Sequence, residues 1–311
     1  MTWSARPSRS WSARRLPEWL ASVPGVKEHE SLEAHSWYRI GGLARYFLEV
    51  SDDSLLPEML ERLRRDGTPL FVIGAASNTL FASSELPGLT LKLVTERRVS
   101  QDNLVIVSAG MLMPRLAAET AKEGRAGLEF GAGVPGTVGG SVFGNAGAFG
   151  REVKDCLTSV TILTPTGERQ VLSNSDCHFG YRNSTFKSEQ PGCVIVQASF
   201  VTSPDGPERI RERIKQVQKH RRDTQPIEKR SLGSTFKNPP GDSAGRLIEA
   251  SGLKGHRVGG AEISRKHANF IVNLGGASAD DVLALMAEMR ERVRERFGID
   301  LEPEVRVMGA A

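Results

Sequence analysis

The sequence predicts a mixed α+β protein of more than one domain, on three observations. Its 311 residues, with 39% hydrophobic and 25% charged content, are enough to bury two or three cores. Strand-like and helix-like stretches alternate until Thr224-Gln225-Pro226 stops a charged helix, after which a segment with its own periodicity begins. Within the first of these regions lies Gly127–Gly150, in which nine of 24 residues are Gly and Glu129 is the sole ionisable side chain.

In chain order, Leu16–Val23 reads as a short helix stopped by Pro24-Gly25. The glycine turn at Gly41-Gly42 feeds a strand to Val50. Asp52–Arg65 is an amphipathic helix with Leu55, Leu56, Met59, Leu60 and Leu63 on one face. Pro69–Ile73 is a buried strand ending at Gly74-Ala75-Ala76-Ser77-Asn78, and a β-α-β unit closing on small residues is a context for phosphate binding. Strands at Leu89–Leu93 and Leu104–Ser108 and a helix at Met113–Gly124 lead into the glycine stretch. Thr158–Leu163 and Arg169–Leu172 form a hairpin about Pro165-Thr166-Gly167, and Cys193–Val201 is a third strand. A helix covers Gly206–Arg221. The last segment holds a helix at Ser243–Ala250, a strand at Ala268–Asn273 and a strand about Glu304. Between these two strands a helix begins at the Ser278/Asp281 capping box, with Val282, Leu285, Met286, Met289, Val293 and Phe297 inward.

Glycine lets the backbone approach a ligand closely, and a run of exposed amides can cradle phosphate oxygens without Lys or Arg. The glycine stretch therefore predicts a cradle for a large phosphate-containing cofactor, since Phe130, Val134, Val138, Val142, Phe143 and Phe149 make it too apolar for a linker. Gly131-Ala132-Gly133-Val134-Pro135-Gly136 is a literal G-x-G-x-x-G. It follows a helical pattern, however, and Pro135, Gly139 and Gly140 argue against a helix after it, so a Rossmann domain is not expected.

Charge and cysteine usage exclude several classes. Of 41 basic residues, Arg6, Arg9, Arg14 and Arg15 sit at the N-terminus, leaving 37 against 37 acidic ones, a balance that gives no case for nucleic-acid binding. Cys156, Cys177 and Cys193 form no C-x-x-C spacing and fit a reducing, cytoplasmic setting. No apolar run reaches the roughly 18 residues of a membrane span. Residues 1–15, rich in Ser and Arg, read as a disordered basic leader or an over-extended start. His29-Glu30 with His35 has the wrong spacing for a helical zinc pair, and no metal is expected.

Three places carry polar groups beside glycine or in dense company: Gly180-Tyr181-Arg182 through Lys187, Gly233-Ser234 through Asn238, and Glu304. Ser184-x-x-Lys187 and Ser234-x-x-Lys237 also match the nucleophile pattern of penicillin-binding proteins and β-lactamases. The companion S-D-N and K-T-G motifs are absent, so serine acyl transfer stands as the alternative.

Several motifs stand in order along the chain: Tyr38-Arg39-Ile40-Gly41-Gly42, Gly74-x-x-Ser77-Asn78, Gly127-Leu128-Glu129-Phe130 through Gly150, Gly180-Tyr181-Arg182-x-Ser184, Gly233-Ser234-x-Phe236-Lys237-Asn238-Pro239, Ala244-Gly245 through Gly255, Lys266-His267-Ala268-Asn269 through Asn273, and Leu301-Glu302-Pro303-Glu304-Val305. Taken together, they resemble the UDP-N-acetylenolpyruvoylglucosamine reductase family in its shorter, second form. The resemblance covers nearly everything after about residue 24. It implies an FAD-binding fold of the vanillyl-alcohol-oxidase type, with two subdomains holding the flavin and a C-terminal α+β domain covering the substrate. On that basis residues 1–17 are the leader, 18–98 and 99–224 the FAD-binding subdomains, and 225–311 the substrate-binding domain.

The implied reaction is NADPH-dependent reduction of an enolpyruvyl ether to a lactyl ether, with hydride passing from flavin N5 to the vinyl carbon and a proton from Ser234. Arg182 and Glu304 would stabilise the enol-like intermediate. A Ser hydroxyl is a weak acid, so Lys237 is the candidate that activates it. Arg39, Gly74, Ala75, Ala76, Ser77, Asn78, Thr79, Gly131, Pro135, Gly136, Thr137, Gly139, Gly140, Ser141, Asn145, Ala146, Ala148 and Arg182 are implied cofactor contacts, and FAD would be non-covalent. Tyr181, Lys237, Asn238 and His267 are implied substrate contacts in a monomer. Ala75 and Ala76 depart from the family's glycine-richer loop, and Ala accepts positive φ poorly. Phe149 stands where Tyr is common.

Overall fold

The computed structural model describes residues 17–190 and 192–309. Nearly all of the expected leader lies outside the described residues. The first sheet has four strands in the order Lys27–Ser31, Leu43–Val50, Glu85–Leu93 and Leu70–Ile73. Leu43–Val50 and Leu70–Ile73 both run parallel to Glu85–Leu93, which lies between them, so the β-α-β strands expected here are not neighbours. A register shift between Ala44 and Tyr46 puts Ala44 and Phe47 on one face and Tyr46, Leu48 and Val50 on the other. Both faces are covered, as parallel pairing requires. Helix α1 (Leu56–Asp66) buries Leu56, Met59, Leu60 and Leu63 and ends at Gly67 in the left-handed conformation (φ 64°). Of the helix expected at Leu16–Val23, one 3-10 turn, Glu18–Leu20, is present.

The second sheet is antiparallel, in the order Arg169–Ser173, Leu157–Leu163, Val194–Val201, Leu104–Ser108, Arg98–Gln101. Helix α2 (Met113–Lys122) packs beside it, and a second helix, α3 (Val138–Phe143), rises from the glycine stretch. This overturns the expectation that Gly139 and Gly140 forbid a helix. It is only six residues long and is started by Thr137, whose side chain accepts from Gly140 N. A Cβ at Gly139 would stand 2.9 Å from Ala109 Cβ, so close packing on the sheet explains a glycine inside a helix. After α4 (Thr185–Ser188), the long helix α5 (Pro207–Thr224) lays Ile210, Ile214 and Val217 on a seam of Ala117, Ala121, Ala126 and Ala132.

The C-terminal region has a small antiparallel sheet, Arg230–Ser231, Ile271–Asn273, Ala261–Ile263 and Arg257–Val258. It is covered by α6 (Ala244–Ala250) and α7 (Ala279–Phe297). Both halves of the Ser278/Asp281 capping box are formed. This core also takes in Tyr38, Ile40 and Leu80 from the N-terminal part. The last strand, Arg306–Met308, returns to pair in parallel with Thr79–Phe81.

Candidate active site

The loop from Gly74 to Asn78 follows the edge strand Leu70–Ile73, and none of its five main-chain N–H groups donates to a described residue. Ala76 takes the left-handed conformation (φ 47°) that the alanine substitution put in question. A left-handed residue in a short turn is a conformation from which anion nests are built. Across the loop sits the start of α3. A Cβ on Gly74 would lie 2.3 Å from Thr137 Oγ1 and one on Gly136 would lie 3.3 Å from Ser77 Oγ. The two segments therefore approach as closely as glycine permits.

Within the glycine stretch, by contrast, most amides are already engaged. Gly131, Gly136, Val138, Gly139, Gly140, Ser141 and Ala146 all donate within the chain. Ser141 is buried, with both its N–H and its hydroxyl on Thr137 O. Asn145 is fully buried in the left-handed region (φ 44°). Its Nδ2 donates to Gly180 O at 2.9 Å and to Glu152 Oε2 at 3.1 Å, and its Oδ1 accepts from Lys154 N. Pro135, Ala146 and Ala148 lie on the same stretch, and Phe149 packs edge-on against His220. Arg39 (φ 56°) lines a groove with Ser83, Ser84 and Asp280, and its side chain bonds Ala34 O, so it reaches neither segment by a hydrogen bond.

Arg182 (φ 53°) occupies the turn before α4. Its Nε donates to Glu304 Oε1 at 2.8 Å and its Nη2 to Gly147 O at 3.1 Å, while Nη1 lies 3.6 Å from Glu152 Oε1. Lys187 Nζ donates to the Arg182 carbonyl at 2.7 Å. Burial pushes the Glu304 carboxyl up from its ordinary value, with Arg182, Lys187 and Lys237 opposing. Burial pushes the Lys187 ammonium down, with a smaller push from Lys237. The non-glycine residues with positive φ include Arg39, Ala76, Asn145 and Arg182, all expected site residues, and strain of this kind collects where a site fixes a side chain.

Ser234 is half-buried beside Gly233 (φ 78°), and its hydroxyl bonds no described residue. The next residue joins it to Glu304, because Thr235 O accepts from Glu304 N at 2.9 Å. Asn269 fixes this segment: its Oδ1 accepts from Phe236 N, its Nδ2 donates to Phe236 O and its carbonyl accepts from Thr235 N. Asn78 Nδ2 donates to Glu304 O at 3.0 Å, tying the Gly74–Asn78 loop to the segment before Arg306–Met308; the strand expected about Glu304 begins only at Arg306. Arg182, Glu304 and the Ser234 turn are thus brought together, with the loop ending at Thr79 alongside.

Around them, Tyr181 Oη accepts from Asn238 N, and Asn238 Oδ1 accepts from Ala244 N. Lys237 Nζ donates to Glu302 Oε1 at 2.5 Å rather than to Ser234, against the expected role of activating that hydroxyl. His267 is half-buried with Nδ1 accepting from Asn269 N, and burial pushes its imidazole below the ordinary value. Ser184 is fully buried with its hydroxyl on Phe143 O at 2.6 Å, so Ser184 with Lys187 is no nucleophile pair. Among the described residues no cluster of three or more His, Cys, Asp or Glu could hold a metal. No described helix is long and apolar enough to cross a membrane.

The comparison with known proteins fits this geometry. Residues 44–173 match the model of an FAD-binding domain, and residues 225–308 match the C-terminal domain of UDP-N-acetylenolpyruvoylglucosamine reductase. A reductase of that name from Rubrobacter xylanophilus is 45% identical over 92% of this chain and 96% of its own length. The chain belongs to the UDP-N-acetylenolpyruvoylglucosamine reductase family. The corresponding protein from Moorella thermoacetica is 41% identical over 91% of this chain and 93% of its own. The crystal structure of the Thermus caldophilus enzyme superposes with a TM-score of 0.76 at 36% identity, covering 91% of this chain and 97% of that one. The fold of this family member is the α+β, vanillyl-alcohol-oxidase-type FAD-binding fold with a C-terminal α+β domain, and the protein is an FAD-dependent oxidoreductase.

The residues present fit FAD. Five consecutive amides with no acceptor among the described residues leave donors for phosphate oxygens, and the close approach of Gly74 to Thr137 sets them beside the start of α3. Sequence reasoning missed Glu152, and it gave no positioning part to Asn269, Asn145 or Lys187, which it quoted within motifs. The partners of Asn269, Glu152, Asn145 and Lys187 lie 33, 30, 35 and 5 positions away, so these pairings exist only in the folded chain.

Proposed function

We propose that the protein reduces UDP-N-acetyl-enolpyruvoylglucosamine to UDP-N-acetylmuramate, with NADPH as electron source, in peptidoglycan precursor synthesis. The observation that carries this reading is the 2.8 Å Arg182–Glu304 pair set beside the Ser234 turn and tied to the amide loop. The amides of Gly74–Asn78 would hold the FAD diphosphate, and the start of α3, from Gly136 to Gly140, would wall it in. Residues 18–98 and 99–224 would enclose the cofactor and 225–311 would cover the substrate, all within a monomer.

FAD, when bound, would supply the hydride chemistry that links NADPH to the vinyl terminus of the substrate. Negative charge then develops on the carbon beside the carboxylate. Arg182, pinned by Glu304, Gly147 and Glu152, presents a fixed cation there, and preorganised charge of this kind is often the largest catalytic contribution. Glu304, held partly toward its neutral form by burial, limits the charge it adds to the site. Ser234 Oγ gives its proton to that carbon, and a positioned donor contributes roughly 10² to 10⁴-fold. Tyr181, Lys237, Asn238 and His267 bind and orient the nucleotide part.

Ser234→Ala tests the reading. Reduction of the flavin by NADPH should stay at its normal rate, and reoxidation by the enolpyruvyl nucleotide should slow. Equal slowing of both half-reactions would make Ser234 structural. Purified protein that is colourless and takes up no added FAD would end the proposal.

A further inference from the structure

Tyr38 is 1% exposed, and its hydroxyl has no hydrogen-bond partner among the described residues. Asn273 Nδ2 holds its carbonyl at 2.9 Å, and its ring is part of the C-terminal core, so the side chain cannot swing out to solvent. Tyr38 lines a small, mostly apolar cavity of about 10 Å³ with Leu232, Gly233, Thr235, Ile271, Val282 and Met286 among its walls. The peptide groups from Leu232 to Ser234 make no hydrogen bond to any described residue. A phenol and neighbouring peptide groups without partners, around a cavity of this size, meet the conditions for one internal water: room for about one molecule and two or more polar partners.

We infer that a single internal water bridges the Tyr38 hydroxyl to the main chain of the Leu232–Thr235 turn, which makes Tyr38 a positioning residue for Ser234. The positioning part rests on the role proposed for Ser234. Asn269 holds the turn from Thr235 onward, whereas Gly233 is left-handed and the Ser234 hydroxyl has no partner among the described residues, so the water would steady the part of the turn that Asn269 does not reach.

Tyr38→Phe keeps the ring and removes only the oxygen. A bridging water would lose an anchor, so Tm should fall by about 2–4 °C. Reoxidation by the enolpyruvyl nucleotide should slow about tenfold while reduction by NADPH holds, as misplacement of a reacting group predicts. A crystal structure should show a water within hydrogen-bond reach of Tyr38 Oη. If Tm holds or rises, the hydroxyl is a dry orphan whose removal relieves a cost, and the inference fails. If Tm falls but both half-reactions slow alike, the positioning role fails. If Ser234→Ala leaves reoxidation untouched while Tyr38→Phe lowers Tm and the water is seen, the reading of Ser234 falls and the internal water stands.

Discussion

Arg182 Nε meets Glu304 Oε1 at 2.8 Å although the two residues are 122 positions apart. The pair closes a circuit: Glu304 is held by Asn78 and Thr235 through its main chain, and Arg182 by Gly147 and Lys187. A change at any of these points should therefore register at the others.

Glu304→Gln should lower turnover by about 10²-fold or more, since it removes one partner of the fixed charge pair. Its stability effect has a definite sign. Burial raises the native carboxyl above its unfolded value, so the stabilisation from this group is complete below the unfolded value and is lost as pH rises through the native one. Thermal melts of wild type and variant should diverge in favour of Gln as pH is raised from 5 to 8.

Asn145→Ala should destabilise the protein by about 2–4 kcal/mol, because Gly180 O and Lys154 N lose a buried partner. Urea unfolding checks the value. Activity should fall as well, as Gly180 leads directly into Tyr181 and Arg182.

Gly74→Ala should displace the Thr137 hydroxyl and weaken the cap of α3 by about 1 kcal/mol. Retention of FAD, read from the visible spectrum after gel filtration, should fall. Gly144→Ala is the control, because its Cβ would meet Gly140 O at an ordinary 3.5 Å.

Burial pushes the thiols of Cys156 and Cys177 up to about 12. Neither should react with a thiol reagent at pH 8 until denaturant is added, and treatment of the native protein should leave both free. Rapid labelling of either residue in the folded protein would contradict the packing.

Much of this was legible in the sequence because it is local. The apolar face of α1, the hairpin about Gly167 and the Ser278 capping box follow from spacing alone. So did the small-residue turn at Gly74–Asn78. The short helix α3 was not, because propensity counts Gly139 and Gly140 against it while the contact with Ala109 that selects glycine is a tertiary one. Nor did the glycine count reveal where free amides would be: most of those in Gly127–Gly150 are used in building the segment, and the unengaged run lies 50 residues earlier. The pairing of Asn269 with Phe236 and of Asn145 with Gly180 belongs to the same class, set by topology rather than by neighbours in the chain.

The strand Arg306–Met308 leaves the C-terminal region and zips onto Thr79–Phe81. It acts as a strap, so the C-terminal unit cannot rock away as a rigid cap without first tearing that ladder. Entry and exit of ligands must then be managed by smaller movements, such as those of the turns bearing Tyr181 and Ser234. A tag or extension appended after Met308 would pull on the loop that carries the free amides.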